Sequence, residues 1–495
     1  MTRGPGAVFV LLLSLLVTGA AGAWTDLLRA QDAEARQGQR DLDDSQLDGS
    51  QIDGSQFNGS QIAGRHLDGI QLDGSLLDGS QEESLDAPPG PGESLRVFLT
   101  TIGRGDAVWE RFGHNAIWIQ DEETGQGVAY NWGIFDFGQV DFVPRLAQGT
   151  MLYRMAPLDP FASLEEYRRA GRPVWIQELS LTPAQRWQLL EFVQWNAQPE
   201  NREYRYDYYR DNCSTRVRDA LDRVLGGRIR AATAADTTAH SFRWHTRRLL
   251  RDHWPAYLGI QFVLGPRADR PITGWEEMFL PERLMERIRD VVVPDGGGGT
   301  RPLVVNERVI LPSDRPPEPE SPPFALPWFL LAGLLWGGGI LLMAWRLDHE
   351  RWASRLALGS AAGASALLAA LAGTLLLAAW SLTDHEFWYG NWNLFQANPL
   401  LLLLVVPFGA FVVRGRFPRW GRRIATVLVG LSMAGAVAQL IPGVGQEGFE
   451  MLALLLPMNL SLWLVSTRLC PARAAKFQDR APKGVEEDIL VGGGA

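Results

Sequence analysis

"RDNCSTRVRDALDRVLGG" (residues 210–227) reads as a helix entered from a polar turn. Val217, Leu221 and Val224 form a stripe with Cys213 at helical spacing, and Gly226-Gly227 ends the run. Asp211 or Asn212 is the N-cap, which puts Cys213 in the first turn. Unpaired N–H groups and the helix dipole favour a thiolate there. Arg210 and Arg216 are expected to add positive potential, and Asp211 to oppose it. The plain alternative is an inert thiol packed as a small hydrophobe.

The other cysteine is Cys470, and topology decides whether the two can meet. The chain opens "MTRGPGAVFVLLLSLLVTGAAGAW", with Arg3 ahead of an apolar run and Ala21-Gly22-Ala23 as a cleavage site. Residues 1–23 are expected to be a signal peptide, with an uncleaved anchor as the alternative. Five apolar stretches follow near the other end, at about 328–345, 356–382, 400–413, 424–441 and 451–467. "RLDHERWASR" (346–355) and "RGRFPRWGRR" (414–423) are arginine-rich, whereas "TDHEFWYGNWNLFQAN" (383–398) and "GVGQEGFE" (443–450) hold no Lys or Arg. Positive loops stay in the cytoplasm, so the large N-terminal part is expected outside and the 470–495 tail inside. Cys213 and Cys470 then lie on opposite sides of a membrane and cannot pair. The chain is therefore expected to be a multi-pass membrane protein with its large globular part outside.

Net charge is -9 over 495 residues, so nothing points to nucleic acid. Residues 24–94 read as an acidic spacer. Within them, 41–80 repeat as "SQLDG SQIDG SQFNG", similar to pentapeptide repeats, but the run is short for a free-standing solenoid. A globular domain is expected over 95–293. It contains strand-like "RVFLTTI" (96–102), "NAIWIQD" (115–121) and "GVAYNWG" (127–133), and a helix at 182–196 with Thr182 as N-cap and Pro183 at N1. "PDGGGGT" and "PSDRPPEPESPP" make 294–326 a Gly/Pro-rich linker to a membrane domain at 327–469.

A nucleophilic cysteine needs a base. His114, in "RFGHNAIWIQ", stands at the start of a strand. His240, His245 and His253 sit in a basic stretch with Arg243, Arg247, Arg248 and Arg251, and read as surface residues. Asn131, on the following strand, is the candidate to orient His114, and Asp136 is the runner-up. His385, Asn391 and Asn393 are candidate substrate-binding residues in the outer loop 383–398. No metal or other cofactor is expected, since neither cysteine lies in a CxxC pair, no HExxH occurs, and no Gly-rich phosphate loop precedes a helix.

"FGHNAIWI", "YNWGIFDFG", "NREYRYDYYRDNCSTRVRDAL" and "ADRPITGWEEMFLP" together resemble the periplasmic domain of the Lnb lipoprotein N-acyltransferase family. The resemblance covers about 95–290, and the five apolar segments are similar to that family's membrane part. His before Cys in the chain also resembles circularly permuted NlpC-type folds. The resemblance implies an α+β permuted papain-like periplasmic domain followed by an all-α five-helix transmembrane domain. It further implies Cys213 as nucleophile and His114 as base. The enzyme would be an acyltransferase with a phospholipid acyl donor and a diacylated lipoprotein acceptor. Two rival classes share parts of this pattern: a cell-wall cysteine peptidase or amidase, and a non-enzymatic envelope scaffold.

Overall fold

The computed structural model describes residues 90–135, 141–441 and 445–469. The expected signal peptide, the 41–80 repeat, Asp136, Cys470 and the tail lie outside them. The chain divides into two compact units. One is Met1–Phe324 with Leu375–Trp392 and Gly445–Gly448; the other is Ala325–Thr374, Asn393–Val444 and Phe449–Ala495.

The first unit is built on a seven-stranded sheet. Its strands are β1 (Leu95–Ile102), β2 (His114–Asp121), β3 (Gly127–Ile134), β4 (Leu152–Leu158), β5 (Val174–Leu179), β6 (Glu203–Arg205) and β7 (Val304–Leu311). Their order across the sheet is β7-β5-β1-β2-β3-β4-β6, and each neighbouring pair is antiparallel. Alternation sorts the central strands onto two faces. Val97, Leu99, Ile117, Ile119, Tyr130 and Trp132 face one core. There they meet Leu189 and Val193 of α2 (Pro183–Ala197), and Val217 and Leu221 of α3 (Cys213–Val224). Phe98, Trp118 and Ile176 face the other side, against Phe161 of α1 (Pro160–Arg169). The helix α2 begins as its sequence predicts, with Thr182 in a capping box with Gln185 and Pro183 in the first turn.

The linker expectation needs correction. Residues 304–311 pair with β5 and form a sheet edge. The glycines and prolines on either side hid a strand whose residues alternate between packed and exposed. The Pro-rich stretch after it is fastened too. Arg315 pairs with Asp106 at 2.6 Å, and buried Glu318 pairs with Arg248 at 2.6 Å.

The basic stretch is likewise only partly at the surface. Arg243, His245 and Arg248 of α4 (Phe242–Leu249) are buried. Arg243 Nη2 donates to Leu264 O at 2.8 Å, and its guanidinium is paired with Asp269. His253 caps α5 (Trp254–Val263) by accepting the Ala256 N–H at 3.2 Å. Partners far along the chain make these charges tolerable inside, which local sequence does not reveal.

The second unit is helical, and among the described residues five segments are long and apolar enough to cross a membrane. They are Leu326–Trp345, Trp352–Leu382, Trp392–Arg414, Arg419–Gln439 and Phe449–Leu469. Gly333 and Gly337, one turn apart, lie against the backbone carbonyls of Ala453 and Pro457, where there is no room for a Cβ. Such small residues let membrane helices approach closely. Gln396, Ser432 and Asn459 hydrogen-bond to one another in the interior, as buried polar groups in a membrane bundle tend to.

Candidate active site

The register of β2 and β3 places Ala116 opposite Asn131. His114, two residues earlier, therefore shares the face of Asn131. His114 Nε2 lies 3.0 Å from Asn131 Oδ1. Asn131 Nδ2 is already directed at Ala129 O, at 3.0 Å. The hydrogen-bond network thus assigns the proton to Nε2 and leaves Nδ1 as the basic nitrogen.

The next residue, Asn115, points to the opposite face. Its Oδ1 accepts from Ser214 Oγ at 2.9 Å, and its Nδ2 donates to Thr101 Oγ1 at 2.8 Å. This ties the first turn of α3 to β2. Asn212, rather than Asp211, is the cap: it accepts the Thr215 N–H at 3.0 Å while Thr215 Oγ1 accepts the Asn212 N–H at 2.8 Å. Cys213 follows as the first helical residue. The backbone amides of Asn115, Ser214 and Cys213 itself favour its thiolate form. Gly133, two residues past Asn131, lies against Cys213, with a built Cβ there only 3.3 Å from the Cys213 Cβ. Cys213, His114 and Asn131 are thus gathered at one end of the β2–β3 pair.

Gly133 has φ +89°, where an L side chain is strained. Gly133→Ala is expected to cost about 1–3 kcal/mol of stability. It should also displace Cys213 and slow its alkylation. Chemical denaturation and iodoacetamide labelling read the two effects separately.

Electrostatics correct the expectation of a preformed thiolate. Burial pushes the Cys213 thiol up, and the three amides and Arg172 pull it down without cancelling that effect. Burial also pushes His114 down to about 4, against the hydrogen bond it donates to Asn131 and with help from Arg172. Removal from water disfavours both charged forms, so the resting pair is neutral thiol and neutral imidazole. The alkylation rate of Cys213 is therefore expected to rise steadily beyond neutral pH. A plateau between pH 5 and 7 would mean a standing thiolate–imidazolium pair instead.

Arg210 and Arg216 do not act as the sequence suggested. Arg216 is paired with Asp211 and Arg210 with Glu386, the latter at 2.7 Å. The cation that reaches both Cys213 and His114 is Arg172. It is buried, donates to Gly103 O at 2.9 Å and pairs with Glu110 at 3.3 Å. No local motif marked it, because it enters from the turn before β5. Tyr153, Tyr167, Tyr204 and Tyr206 also lie in the field of the Cys213 sulfur. Tyr153 stacks on Tyr206 at 4.0 Å and on Phe135 at 5.1 Å, which makes one wall aromatic. "REYRYDYYRD" supplies both Tyr204 and Tyr206, so its composition was a readable signal.

The loop candidates are placed differently. Asn391 Nδ2 donates to Phe262 O, Val263 O and Leu264 O at 3.1, 2.8 and 3.2 Å, closing the end of α5. His385 stacks on Trp388 at 4.0 Å, and its Nε2 lies 3.0 Å from Leu146 O. Asn393 is buried and belongs to the other compact unit.

Among the described residues, one cluster has metal-ligand composition: His240, His245 and Glu277. Arg248 Nε donates to His245 Nδ1 at 3.1 Å, so Nε2 bears the proton and faces Glu277 Oε1 at 3.2 Å. Arg287 also pairs with Glu277, at 2.6 Å. With its lone pair spent and guanidiniums close by, this set serves the core as a polar network.

Residues 91–252 match the family model described as the Lnb N-terminal periplasmic domain. The match supports an Lnb-type family assignment. It spans β1 to β6 and α3, and so includes Cys213, His114 and Asn131. Joined to five membrane-length helices, the Lnb-type domain fits a multi-pass membrane protein of that family. Comparisons with curated proteins and with solved structures found no match.

Proposed function

We propose that this protein is a membrane-bound lipoprotein N-acyltransferase whose nucleophile is Cys213. What supports the reading is a cysteine at a helix start where backbone amides favour its thiolate, and a His114–Asn131 pair at the same end of β2–β3, both inside an Lnb-type domain. We read that domain as a permuted papain-like (NlpC-type) fold on the periplasmic side of the bacterial cytoplasmic membrane. The five membrane-length helices support lipid substrates for both steps.

In the first step, His114 Nδ1 takes the thiol proton as the sulfur attacks an ester carbonyl of a phospholipid. A C–S bond forms. Collapse breaks the C–O bond, and the imidazolium returns the proton to the departing lysophospholipid oxygen. Amides at the start of α3 offer hydrogen bonds to the transient oxyanion. In the second step, the α-amine of a diacylglyceryl-cysteine lipoprotein attacks the thioester. An amide forms, the C–S bond breaks, and the thiol is restored. Because the resting pair is neutral, His114 acts as a general base during attack rather than beforehand. Asn131 holds the tautomer that this requires.

The test is intact-mass spectrometry of the full-length protein after incubation with phospholipid. A fatty-acyl adduct on Cys213, released by neutral hydroxylamine, is the expected result. No adduct from any phospholipid, together with cleavage of a cell-wall peptide, would replace this reading with an amidase.

A further inference from the structure

A cavity of about 390 Å³ opens beside the thiol's aromatic wall, lined by Arg205, Arg210, Arg267, Asp384, Glu386 and Tyr206 among others. Its charges are balanced and paired: Arg205–Asp384 at 2.9 Å, Arg210–Glu386 at 2.7 Å and Arg267–Glu386 at 3.6 Å. These side chains are about half exposed. Exposed ion pairs are worth little, so exchanging a partner for a ligand costs little. Asp207, which also lines the cavity, is committed elsewhere, since it accepts the N–H groups of Tyr209 and Arg210 at 2.8 Å each.

Two further observations give the cavity a direction. Asp384 and Glu386 follow directly on the membrane-length segment Trp352–Leu382, and Trp388 and Tyr389 come next. Aromatics of that kind mark the headgroup layer. Tyr206 also lines the cavity and lies in the field of the Cys213 sulfur. The cavity thus shares Tyr206 with the surroundings of the Cys213 sulfur, and its two carboxylates follow a membrane-length segment in sequence.

We propose that this cavity seats a zwitterionic phosphodiester headgroup, with the phosphate on the guanidiniums of Arg205, Arg210 and Arg267 and the ammonium on Asp384 and Glu386. The proposal rests on the phospholipid-donor reading above and deepens it. Guanidiniums suit phosphate because their planar donor forks match its oxygens. The two carboxylates are the reason to expect a headgroup that also carries a positive charge. A purely anionic headgroup would meet Asp384 and Glu386 unfavourably.

Binding can be read without acyl transfer. Full-length Cys213→Ala protein in detergent is titrated by calorimetry with glycerophosphoethanolamine, glycerophosphoglycerol and inorganic phosphate. The ethanolamine compound is expected to bind best. Arg205→Gln, Arg210→Gln and Arg267→Gln, made singly so that one misfolded variant leaves two, should each weaken it roughly tenfold. Asp384→Asn should erase the preference over the glycerol compound while leaving the latter's own binding intact. Inorganic phosphate binding as well as the ethanolamine compound would overturn the headgroup assignment. So would arginine variants that bind like the parent. If the titration succeeds while Cys213 never becomes acylated, the transferase reading falls and the site stands. If Cys213 is acylated at equal rates from donors of every headgroup, the site falls and the transferase reading stands.

Discussion

Cys213→Ala is expected to abolish both the acyl adduct and N-acylation of a diacylated lipoprotein peptide. Without the sulfur no covalent intermediate forms, and the loss should be on the order of 10⁴-fold or more. The substitution removes one atom from the first turn of α3, whose cap rests on Asn212 and Thr215, so the fold should persist. Cys213→Ser is the sharper companion. Its hydroxyl occupies the same place, but an oxygen ester resists attack by an amine far better than a thioester does. The serine variant is expected to react slowly with phospholipid and then to hold its acyl group. Mass spectrometry with and without acceptor peptide reads both steps. Full N-acylation by Cys213→Ala protein would remove the cysteine from the mechanism.

His114→Ala is expected to lower transfer by roughly 10²–10⁴-fold, the usual contribution of a positioned general base. Asn131→Ala should cost less, about 10²-fold, because it misplaces the imidazole without deleting it. A loss of packing alone would leave the pH profile unchanged, so the profile is the decisive readout. His114 sits at about 4 because burial disfavours its charged form. Its neutral, basic form therefore persists well into acid, and the acid limb of kcat/KM should fall near that value. Asn131→Asp would put a carboxylate against Nε2 and favour the imidazolium. The acid limb should then move to higher pH. The same depression has a stability consequence. An unfolded histidine takes up its proton near pH 6.5, the folded one only near 4, so this contribution to stability is lost as pH falls through that window.

Much of this was legible along the chain. The first three strands and the capped helices α2 and α3 follow from alternation, helical spacing and turn residues, all of them local signals. The placing of Asn131 beside His114 also follows, because neighbouring antiparallel strands with matching parity bring such residues onto one face. The state of the thiol was not legible. Helix position and nearby arginines argued for a thiolate, but burial is set by every element packed around the sulfur. Arg210 and Arg216 were close in sequence yet committed to other carboxylates, and the cation that counts, Arg172, lies some forty residues upstream.

The loop 383–398 shows the same limit. Its polar residues suggested substrate contacts, but a side chain's task depends on which backbone it meets. Asn391 meets three carbonyls at the end of α5, while Asp384 and Glu386 meet the arginines that line the cavity.

The sequence by itself determined five membrane-length apolar segments, a cysteine at a helix start and a histidine on a nearby strand. Hydropathy and residue periodicity act over a few to some twenty residues, and they are written in order along the chain. Only the tertiary structure decided the charge state of the thiol, the edge strand hidden in the apparent linker, the buried arginines of α4 and the charged cavity beside Tyr206. Each of these depends on desolvation or on partners tens to hundreds of residues apart, and distance along the chain carries no record of either.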